Sequence, residues 1–497
     1  MSLILGKIVM NKLVGRRYEQ QQLQKAFESK EAELIAIYGR RRVGKTFLVR
    51  KFFENKKCPF FQTTGIHNAP LSLQLKEFKN EIERTFYGKK GGISLKDPET
   101  WMEALEMLTN SIRLFGGIKR IIIFFDEFPW MATRKSGLLQ AFDFYWNRFW
   151  VNDSRIKLVV CGSAASWIID KILNNKGGLH NRVTLRIHLD PFLLSETKEY
   201  LKYKGVNLDN AQILDLYMCI GGIPFYLKFV EKGLSAVQNI NQLCFQKKGT
   251  LLDEFKNLFS SLFDHADVHE EIIKVIASKR EGVSRAEVEE KIGSKGGRLS
   301  VRLKELEEAG FVTAFIPWGR ERGTYYKVID EYTLFYLNWI APGIKSRISK
   351  EVTLKYWESI SQTAAWKAWA GHAFEAVCYK HLISIRKALH IPDGATATTW
   401  RYFSKKPGEE GAQIDLLFDR PDGIVNICEI KYCKEPYSID KKYSKELLRK
   451  VDIFRKAVKT EKQIFISIIT SCRLKKTLYS EELIASEVRL DDLFKER

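Results

Sequence analysis

Short runs of apolar residues divide the first part of the chain into elements that alternate between strand and helix. The runs 34–38, 121–125 and 156–161 consist mainly of Ile, Leu, Val and Phe, as strands buried on both faces do. The stretch 47–53, directly after the first run, has helical character. Together these elements predict an α/β fold around a parallel sheet. Two further helix-like segments, expected to form a small helical lid, follow at 194–203 and 209–219.

The middle of the chain changes to three short helices followed by two strands. Helical stripes occupy 270–278 and 297–309, and Ser284 with Glu287 forms the Ser-x-x-Glu box that opens a helix between them. Two strand-like runs complete the module, at 311–316 and 324–328. This order predicts a winged helix-turn-helix. Basic side chains that could face phosphate groups lie on its third helix and at the wing tip: Arg298, Arg302, Lys304, Arg320 and Arg322.

A hairpin is predicted in the C-terminal part, where two strand-like runs flank the turn Arg-Pro-Asp-Gly at 420–423. With the hairpin centred on residue 422, Asp415 lies directly opposite Glu429. By the same count Gln413 lies opposite Lys431, and period-two alternation puts all four on one face. The other face is expected to be apolar and to contain Ile414, Leu416, Cys428 and Ile430.

Directly opposed carboxylates repel each other, so the predicted hairpin is favourable if a cation such as Mg²⁺ lies between them. A third acid, Glu375, borders the buried stripe of a preceding helix, and Gly371 one turn earlier leaves space beside it. The alternative is a surface hairpin whose charged side chains are solvated.

Composition narrows the class of protein and its partners. A chain of 497 residues suggests about three or four domains, and 45% hydrophobic residues are enough for several cores. No run approaches about 18 apolar residues, so no membrane segment is expected. The 81 Lys and Arg exceed the 60 Asp and Glu and give a net charge of +21. Such an excess favours a polyanionic partner, most commonly nucleic acid, although solubility alone could also explain it.

The eight cysteines are scattered and contain no Cys-x-x-Cys pair. This spacing argues against a zinc site and against a disulfide framework. We therefore expect a reducing environment and a cytoplasmic protein.

The clearest chemical signal directly follows the first apolar run. Residues 39–46 read Gly-Arg-Arg-Arg-Val-Gly-Lys-Thr, a full match to the phosphate-binding loop that connects a strand to a helix. In such a loop backbone N–H groups wrap a phosphate, the Lys reaches the terminal phosphates and the Thr hydroxyl ligates Mg²⁺. Binding of a nucleoside triphosphate is therefore expected at Gly39, Arg40, Arg41, Arg42, Val43, Gly44, Lys45 and Thr46.

Four more residues complete the predicted nucleotide site. The run 121–125 ends in Asp126 and Glu127, and in enzymes with this loop such a strand lies beside it. The first acid then holds the Mg²⁺ shell and the second polarises the attacking water. Ser163 closes the third run, where it could contact the γ-phosphate or cap the following helix. Arg182, after a glycine-rich loop, could act as an arginine finger within the chain or from a neighbour, or be an ordinary surface cation.

These motifs occur in the order found in one family of ATPases. Val-Gly-Arg-Arg-Tyr-Glu at 14–19 precedes the phosphate loop, and Gly-Gly-Ile-Pro at 221–224 follows the Asp-Glu, Gly-Ser and Arg elements. The set resembles the archaeal-type ATPases, which are similar to the STAND branch of AAA-type, ASCE-type P-loop proteins. The resemblance implies ATP rather than GTP as the nucleotide, with Pro224 packed on its base.

The C-terminal acids resemble a second family. A helix Glu, an Asp and then Glu-x-Lys are similar to the PD-(D/E)xK nuclease core, and the archaeal-type ATPases carry the same C-terminal unit. In that core the acids hold Mg²⁺, while the Lys stabilises phosphate charge and helps to position the attacking water. The resemblance implies Asp415 and Glu429 as metal ligands, and as catalytic residues Glu375, Asp415, Glu429 and Lys431. Gln413 departs from the pattern, because many members carry another acid there, and related domains often keep the fold without the chemistry.

We therefore expect a P-loop ATPase core at 1–190, a helical lid at 191–260, a winged helix at 261–330 and a nuclease-like α/β domain at 331–497. The predicted activity is ATP hydrolysis coupled to metal-dependent cleavage of DNA, with ATP and Mg²⁺ as cofactors. A homo-oligomer is compatible with an Arg182 supplied by a neighbour, and no membrane contact is expected. Two alternatives stay open. One is an ATP-driven switch that binds nucleic acid or protein without cleaving, and the other is an adaptor whose winged helix packs against protein.

Overall fold

A computed structural model of the chain describes residues 12–88, 94–114, 119–174, 181–294, 296–318, 323–345, 355–402 and 410–495. The chain divides into two compact units, Met1–Pro191 and Phe192–Arg497. Arg320 and Arg322 of the predicted wing tip, and the glycine-rich loop before Arg182, lie outside the described residues. Within the described ranges, no helix combines the length and the apolar character needed to span a membrane.

The first unit is built on a five-stranded sheet whose neighbouring strands are all parallel, in the order β2-β3-β4-β1-β5. The central strand β4 and its neighbour β3 are buried along their whole length, as in a sheet that is covered on both faces. The strands are β1 (Glu33–Tyr38), β2 (Phe60–Thr64), β3 (Ile121–Asp126), β4 (Ile156–Gly162) and β5 (Leu185–His188). The helices are α1 (Arg17–Glu28), α2 (Lys45–Phe53), α3 (Leu71–Ile82), α4 (Trp101–Leu114), α5 (Phe128–Met131), α6 (Leu138–Arg148) and α7 (Ala165–Ile168).

The predicted parallel α/β sheet is confirmed. Within it, β4 lies between β1 and β3, so the strand that ends in Asp126 is not the direct neighbour of β1. Parallel strands are joined by long crossovers rather than tight turns, so the order of strands in the sequence does not fix their order in the sheet.

The second unit begins with helices that agree with the predicted lid segments. The helix α9 starts directly after Asp209, whose Oδ1 accepts a hydrogen bond from the Gln212 N–H at 2.8 Å. This side-chain cap explains why the helix begins there. The helices are α8 (Leu194–Tyr203), α9 (Asn210–Ile220), α10 (Pro224–Leu227), α11 (Ala236–Cys244) and α12 (Glu254–Leu262).

Three helices and a small antiparallel sheet follow in the second unit. The predicted capping box is present, since the Glu287 carboxylate accepts from the Ser284 N–H at 2.9 Å and the Ser284 hydroxyl accepts from the Glu287 N–H at 3.3 Å. The two-residue strand β6 was too short to predict, and it pairs with β8 to give the order β6-β8-β7. The elements are α13 (Ala266–Ala277), β6 (Val283–Ser284), α14 (Arg285–Ile292), α15 (Gly297–Glu308), β7 (Val312–Phe315) and β8 (Tyr325–Val328).

The last part of the second unit contains a mixed five-stranded sheet in the order β13-β12-β11-β10-β9. The first two pairings of the chain, β9–β10 and β10–β11, are antiparallel, and β11–β12 and β12–β13 are parallel. At the β9 edge the Trp318 N–H donates to the Thr399 carbonyl oxygen at 3.2 Å. The strands are β9 (Thr396–Tyr402), β10 (Ala412–Asp419), β11 (Ile424–Lys431), β12 (Gln463–Thr470) and β13 (Ile484–Arg489). The helices are α16 (Glu331–Phe335), α17 (Ala341–Lys345), α18 (Tyr356–Ile360), α19 (Ala364–Lys380), α20 (Leu382–Ala388), α21 (Lys441–Val458), α22 (Leu478–Leu483) and α23 (Leu490–Leu493).

The predicted hairpin register is confirmed between 416–419 and 425–428, whereas the pairing of Asp415 with Glu429 and of Gln413 with Lys431 stays a prediction. The predicted division into a polar and an apolar face is wrong. Leu416 pairs with Cys428 and the register continues to Asp419, as expected for a hairpin centred on residue 422. The pairing of β10 with β9 shifts between Ile414 and Leu417, which is a β-bulge. Because of the bulge, Ile414 and Leu417 join the same apolar cluster, and Ile414 does not share a face with Leu416.

A disulfide bond corrects the expectation drawn from cysteine spacing. Cys433 and Cys472 are bonded, 39 residues apart in the sequence. Lys431 and Thr470 are partners in the parallel β11–β12 pair, so the residues two positions beyond them emerge side by side. The spacing of cysteines in the sequence does not reveal this pair, because the register of two strands brings the residues together.

Candidate functional site

The loop between β1 and α2 has the backbone shape that the phosphate-binding motif requires. Gly39 and Gly44 have φ values of 135° and 94°, in the range that favours glycine. A Cβ atom at Gly39 would lie 2.5 Å from the carbonyl oxygen of Leu189, so no other side chain fits there. The buried Lys45 donates from Nζ to the carbonyl oxygens of Gly39 and Arg40, both at 2.8 Å. The Lys45 ammonium therefore lies within its own loop.

The predicted acids at the end of β3 reach this loop although their strand is not the neighbour of β1. The Thr46 hydroxyl donates to Asp126 Oδ1 at 3.0 Å. Burial raises the pKa of Asp126, and the adjacent Glu127 charge adds to the effect. Burial lowers the pKa of Lys45 in the same pocket. A cation near Asp126 and an anion near Lys45 would each oppose these shifts.

Glu127 is held by the residue that closes β4. Its backbone is left-handed, with φ 47°, which is uncommon for a residue other than glycine. The Ser163 hydroxyl donates to Glu127 Oε1 at 2.5 Å, and the Ser163 N–H donates to Oε2 at 3.0 Å. Ser163 is therefore the contact of the candidate base. The alternative role of Ser163 as a helix cap is wrong, because Ala164 occupies the position before α7.

Arg182 lies near the end of the sheet at which β1 begins, and the phosphate loop lies at the end at which β1 finishes. Arg182 is exposed, and two residues later the Thr184 N–H donates to the carbonyl oxygen of Leu34, at the start of β1. The phosphate loop follows the other end of the same strand. Arg182 and Lys30 line a cavity of about 370 Å³ close to the start of β1. This placement argues against a contribution of Arg182 to the phosphate loop of the same chain, and a contribution from a neighbour stays a prediction.

Pro224 lies in the second unit, at the first turn of α10, after two glycines in confined positions. The Gly222 carbonyl oxygen accepts from the Phe192 N–H at 2.7 Å. A Cβ atom at Gly222 would lie 1.9 Å from the Phe192 carbonyl oxygen, so the close backbone contact requires glycine.

The four C-terminal candidates are distributed around β10, β11 and α19. Glu429 is fully buried, and Lys450 Nζ donates to both of its carboxylate oxygens at 2.8 and 2.9 Å. The Tyr443 hydroxyl donates to Glu429 Oε2 at 2.9 Å, and Lys431 Nζ lies 3.4 Å from the same oxygen. Two cations and a hydroxyl therefore surround this carboxylate.

Asp415 and Glu375 lie close enough to influence each other. Burial raises the pKa of Asp415 to about 7, and the charges of Glu429 and Glu375 add to the increase. Asp415 Oδ2 accepts one hydrogen bond, from the Ile430 N–H at 3.1 Å. Burial alone would raise the pKa of Glu375, but its hydrogen bond with His372 and the charge of Lys327 lower it.

Apart from Lys431, the sequence did not identify the side chains that contact these acids. Lys450 and Tyr443 come from α21, which crosses over between the parallel strands β11 and β12. Lys327 comes from β8 and lies 3.6 Å from Glu375. No motif contains these residues, and only the basic, amphipathic character of 441–458 was visible. Among the described residues, no group of three or more His, Cys, Asp and Glu side chains has the spacing to hold a metal ion.

Comparison with known proteins identifies the domain that contains the first of these sites. Residues 13–230 match a family described as an ATPase domain predominantly from Archaea. An uncharacterized protein of Methanocaldococcus jannaschii is 26% identical over 383 residues, which cover 76% of this chain and 79% of the relative. This match is longer than the ATPase domain itself. An uncharacterized ATP-binding protein of the same organism is 52% identical over 44 residues, 9% of this chain and 75% of that protein.

Two solved structures show a distant likeness. The Walker-type ATPase of Pyrococcus abyssi is 19% identical, with 65% of this chain and 96% of that chain covered and a TM-score of 0.47. The Aeropyrum pernix ORC2 protein, solved as ADPNP-ADP complexes, is 16% identical, with 69% and 96% covered and a TM-score of 0.42. These likenesses assign no role to individual residues. Through residues 13–230, the chain belongs to the ATPase family found predominantly in Archaea.

Proposed function

We propose that the first unit binds Mg-ATP at residues 39–46 and hydrolyses it with Glu127 as the base that polarises the attacking water. The observation that carries the proposal is the contact of Thr46 with Asp126 at 3.0 Å, which joins the loop to the acid pair. The donor set fits Mg²⁺, a hard cation that prefers a hydroxyl and a carboxylate oxygen. Mg²⁺ held by Thr46 and Asp126 would neutralise charge on the terminal phosphates.

The protein's own groups account for the remaining requirements. Lys45 lies at the centre of the loop, where phosphate oxygens would replace the carbonyl oxygens that it now contacts. Ser163 fixes both carboxylate oxygens of Glu127 and so orients the base. Glu127→Gln keeps the shape of this contact but removes the proton acceptor.

The test compares nucleotide binding with turnover. In Glu127→Gln we expect ATP affinity close to that of the wild type and turnover reduced about 10²- to 10⁴-fold, the usual contribution of a general base. Lys45→Ala should lose tight binding of Mg-ATP. The exposed Glu106, replaced by Gln, is the matched control. Equal phosphate release by wild type and Glu127→Gln would refute the role of Glu127.

We further propose that the second unit comprises a helical lid at 191–260, a winged helix at 261–330 and a PD-(D/E)xK-type nuclease domain at 331–497 that acts on DNA. The observation in favour is that Asp415 is buried next to Glu429 and Glu375, since burial, and then the charges of these two acids, raise the pKa of Asp415 to about 7. Clustered acids of which one has a raised pKa are typical of functional sites. The oxygen donors fit a divalent cation in kind, and the Lys450 ammonium now neutralises Glu429 in its place. A metal held by Asp415 and Glu429 would have to compete with that ammonium.

A nuclease assay on labelled single-stranded, duplex and RNA substrates tests this second candidate, with and without Mg²⁺, Mn²⁺ and ATP. We expect cleavage that needs the metal, is lost in Asp415→Asn and is retained in Asp422→Asn, a change in the exposed hairpin turn. Lys431→Ala should keep the metal-induced shift in melting temperature but lose cleavage. Equal cleavage by wild type and Asp415→Asn would refute the site. The switch that binds without cleaving would then be the better description.

A further inference from the structure

A cavity of about 510 Å³ lies in the second unit, beside Asp415 but outside the group of acids. Its walls come from β7 and β8 on one side and from β9 and the start of β10 on the other. The volume is in the range of pockets that bind small organic groups. Exposed residues, among them Ile316, Thr396 and Gln413, line it, so it opens to the surface. Aromatic rings form much of the wall: Phe315, Trp318, Tyr325, Tyr379 and Trp400.

Two of these rings are neighbours on paired strands. Phe315 and Tyr325 come from the paired strands β7 and β8, and their ring centroids are 6.0 Å apart. Trp318, on the far side of β7, is fixed by its backbone bond to Thr399 and by an edge contact with Phe454. Flat π-faces on fixed strands suit a flat, aromatic ligand group.

The charged residues of the lining are three cations and two acids. Each cation has an acidic partner. Lys327 lies 3.6 Å from Glu375, Lys380 donates to Glu331 at 2.7 Å, and Arg401 pairs with Glu281 at the β9 edge. Lys327 Nζ also lies 4.7 Å from the centre of the Tyr379 ring. Asp415 is the second acid, and it connects the cavity to the proposed cleavage site. An aromatic chamber with cations at its side matches a base attached to a phosphate.

We propose that this cavity takes one unstacked base of a single-stranded nucleic acid, with the strand's phosphate beside Lys327. The proposal rests on the proposed nuclease-type function for the path of the strand past Asp415. A base within a duplex is stacked and paired and would first have to be turned out, which favours single strands. The open mouth lets the strand enter and leave, as a polymer requires.

Strand binding without cleavage is the test. The probe is a fluorescein-labelled oligothymidylate of about twelve nucleotides, measured by anisotropy in EDTA against a blunt duplex of equal length. We expect the wild type to bind the single strand at least about tenfold more tightly than the duplex. Phe315→Ala should weaken binding about five- to 150-fold, the range for loss of one base-aromatic stack. Phe315→Leu keeps apolar volume without a π-face and should be weakened as well.

Two controls separate the cavity from general effects. Ile383→Ala removes an exposed apolar side chain outside the lining and should bind like the wild type. Lys327→Gln should reduce the slope of log affinity against log salt by about one, as for a single phosphate contact. Melting curves identify a variant that has unfolded, and the other variant then decides.

The outcomes distinguish this proposal from the nuclease assignment. If the wild type does not cleave but Phe315→Ala loses strand binding, the cavity assignment stands and the cleavage assignment fails. If the wild type cleaves and both Phe315 variants bind like it, the cavity assignment fails alone. Equal affinity for duplex and single strand, or for thymidine monophosphate and the oligonucleotide, would also overturn it.

Discussion

Single residues of the two proposed sites carry charge in places where burial opposes it. Burial lowers the pKa of Lys45 and raises the pKa of Asp126 and Asp415. An opposite charge placed beside each of these groups would therefore stabilise its charged form. Such environments are typical of ligand sites, because the ligand supplies the missing charge.

Asp415 should make the stability of the protein depend on pH. Its pKa of about 7 in the folded chain exceeds the value of about 3.9 in an unfolded chain. The stabilisation associated with its protonated form is therefore complete at low pH and is lost as the pH rises through about 7. Asp415→Asn removes this dependence, so its melting temperature relative to wild type should increase between about pH 5 and about pH 8 in EDTA. Asp422→Asn is the control. Parallel pH profiles of Asp415→Asn and wild type would contradict the prediction.

At the scale of elements, α21 contributes a partly buried cation to the sheet. Lys450 on this helix contacts both oxygens of Glu429, which is fully buried. Lys450→Met should therefore leave the buried Glu429 charge with only the more distant Lys431 and destabilise the protein by no more than about 3–5 kcal/mol in EDTA. Mg²⁺ should restore part of this loss if a metal can take the ammonium's place. Denaturant unfolding with and without Mg²⁺ measures both effects.

The exposed Lys445, on the same helix, provides the control for Lys450. Lys445→Met should change stability by no more than about 0.5 kcal/mol, as is usual for surface substitutions. If both variants unfold at the same denaturant concentration as the wild type, Glu429 does not depend on Lys450.

The helix α15 presents two cations on its accessible side. Arg298 is exposed and Arg302 is half-buried, one turn apart. If this helix lies on a phosphate backbone, replacing both by Ala should reduce the salt slope of DNA binding by about two. Lys274→Ala, on the neighbouring α13, should leave the slope unchanged. An unchanged slope in the double variant would favour the protein-packing role of this module.

The elements differ in how far the sequence predicts them. The buried strands around the phosphate loop and the capping box at Ser284 carry local signals, and the structure agrees with them. The bulge between Ile414 and Leu417 has no such signal, because it depends on how β9 pairs with β10. The contact of Lys450 with Glu429 and the bond between Cys433 and Cys472 depend on a parallel crossover. Such long-range relations are fixed by the assembled sheet and not by residue spacing.

At the scale of the whole molecule, the position of Arg182 has a consequence for assembly. If Arg182 assists hydrolysis, it can do so only at a neighbouring chain, because it lies at the end of the sheet opposite to the phosphate loop of its own chain. Turnover per chain should then rise with protein concentration, and Arg182→Ala should lower it by about 10³-fold. An equimolar mixture of Arg182→Ala and Lys45→Ala should recover turnover that neither variant has alone. Arg186→Ala, an exposed change on β5, is the control. A mixture that stays inactive would assign Arg182 to the ordinary protein surface.

The hydrogen bond from Trp318 to Thr399 has a consequence for any attempt to isolate the C-terminal sheet. β9 is the last strand on its side, and an edge strand that loses its cover is a template for pairing with other chains. A fragment that begins at residue 331 lacks Trp318, whereas one that begins at 261 retains it. We expect the shorter fragment to aggregate during light-scattering measurements at concentrations at which the longer one stays monodisperse. The segment from 312 to 318 would then prevent self-association by keeping β9 from pairing with other chains.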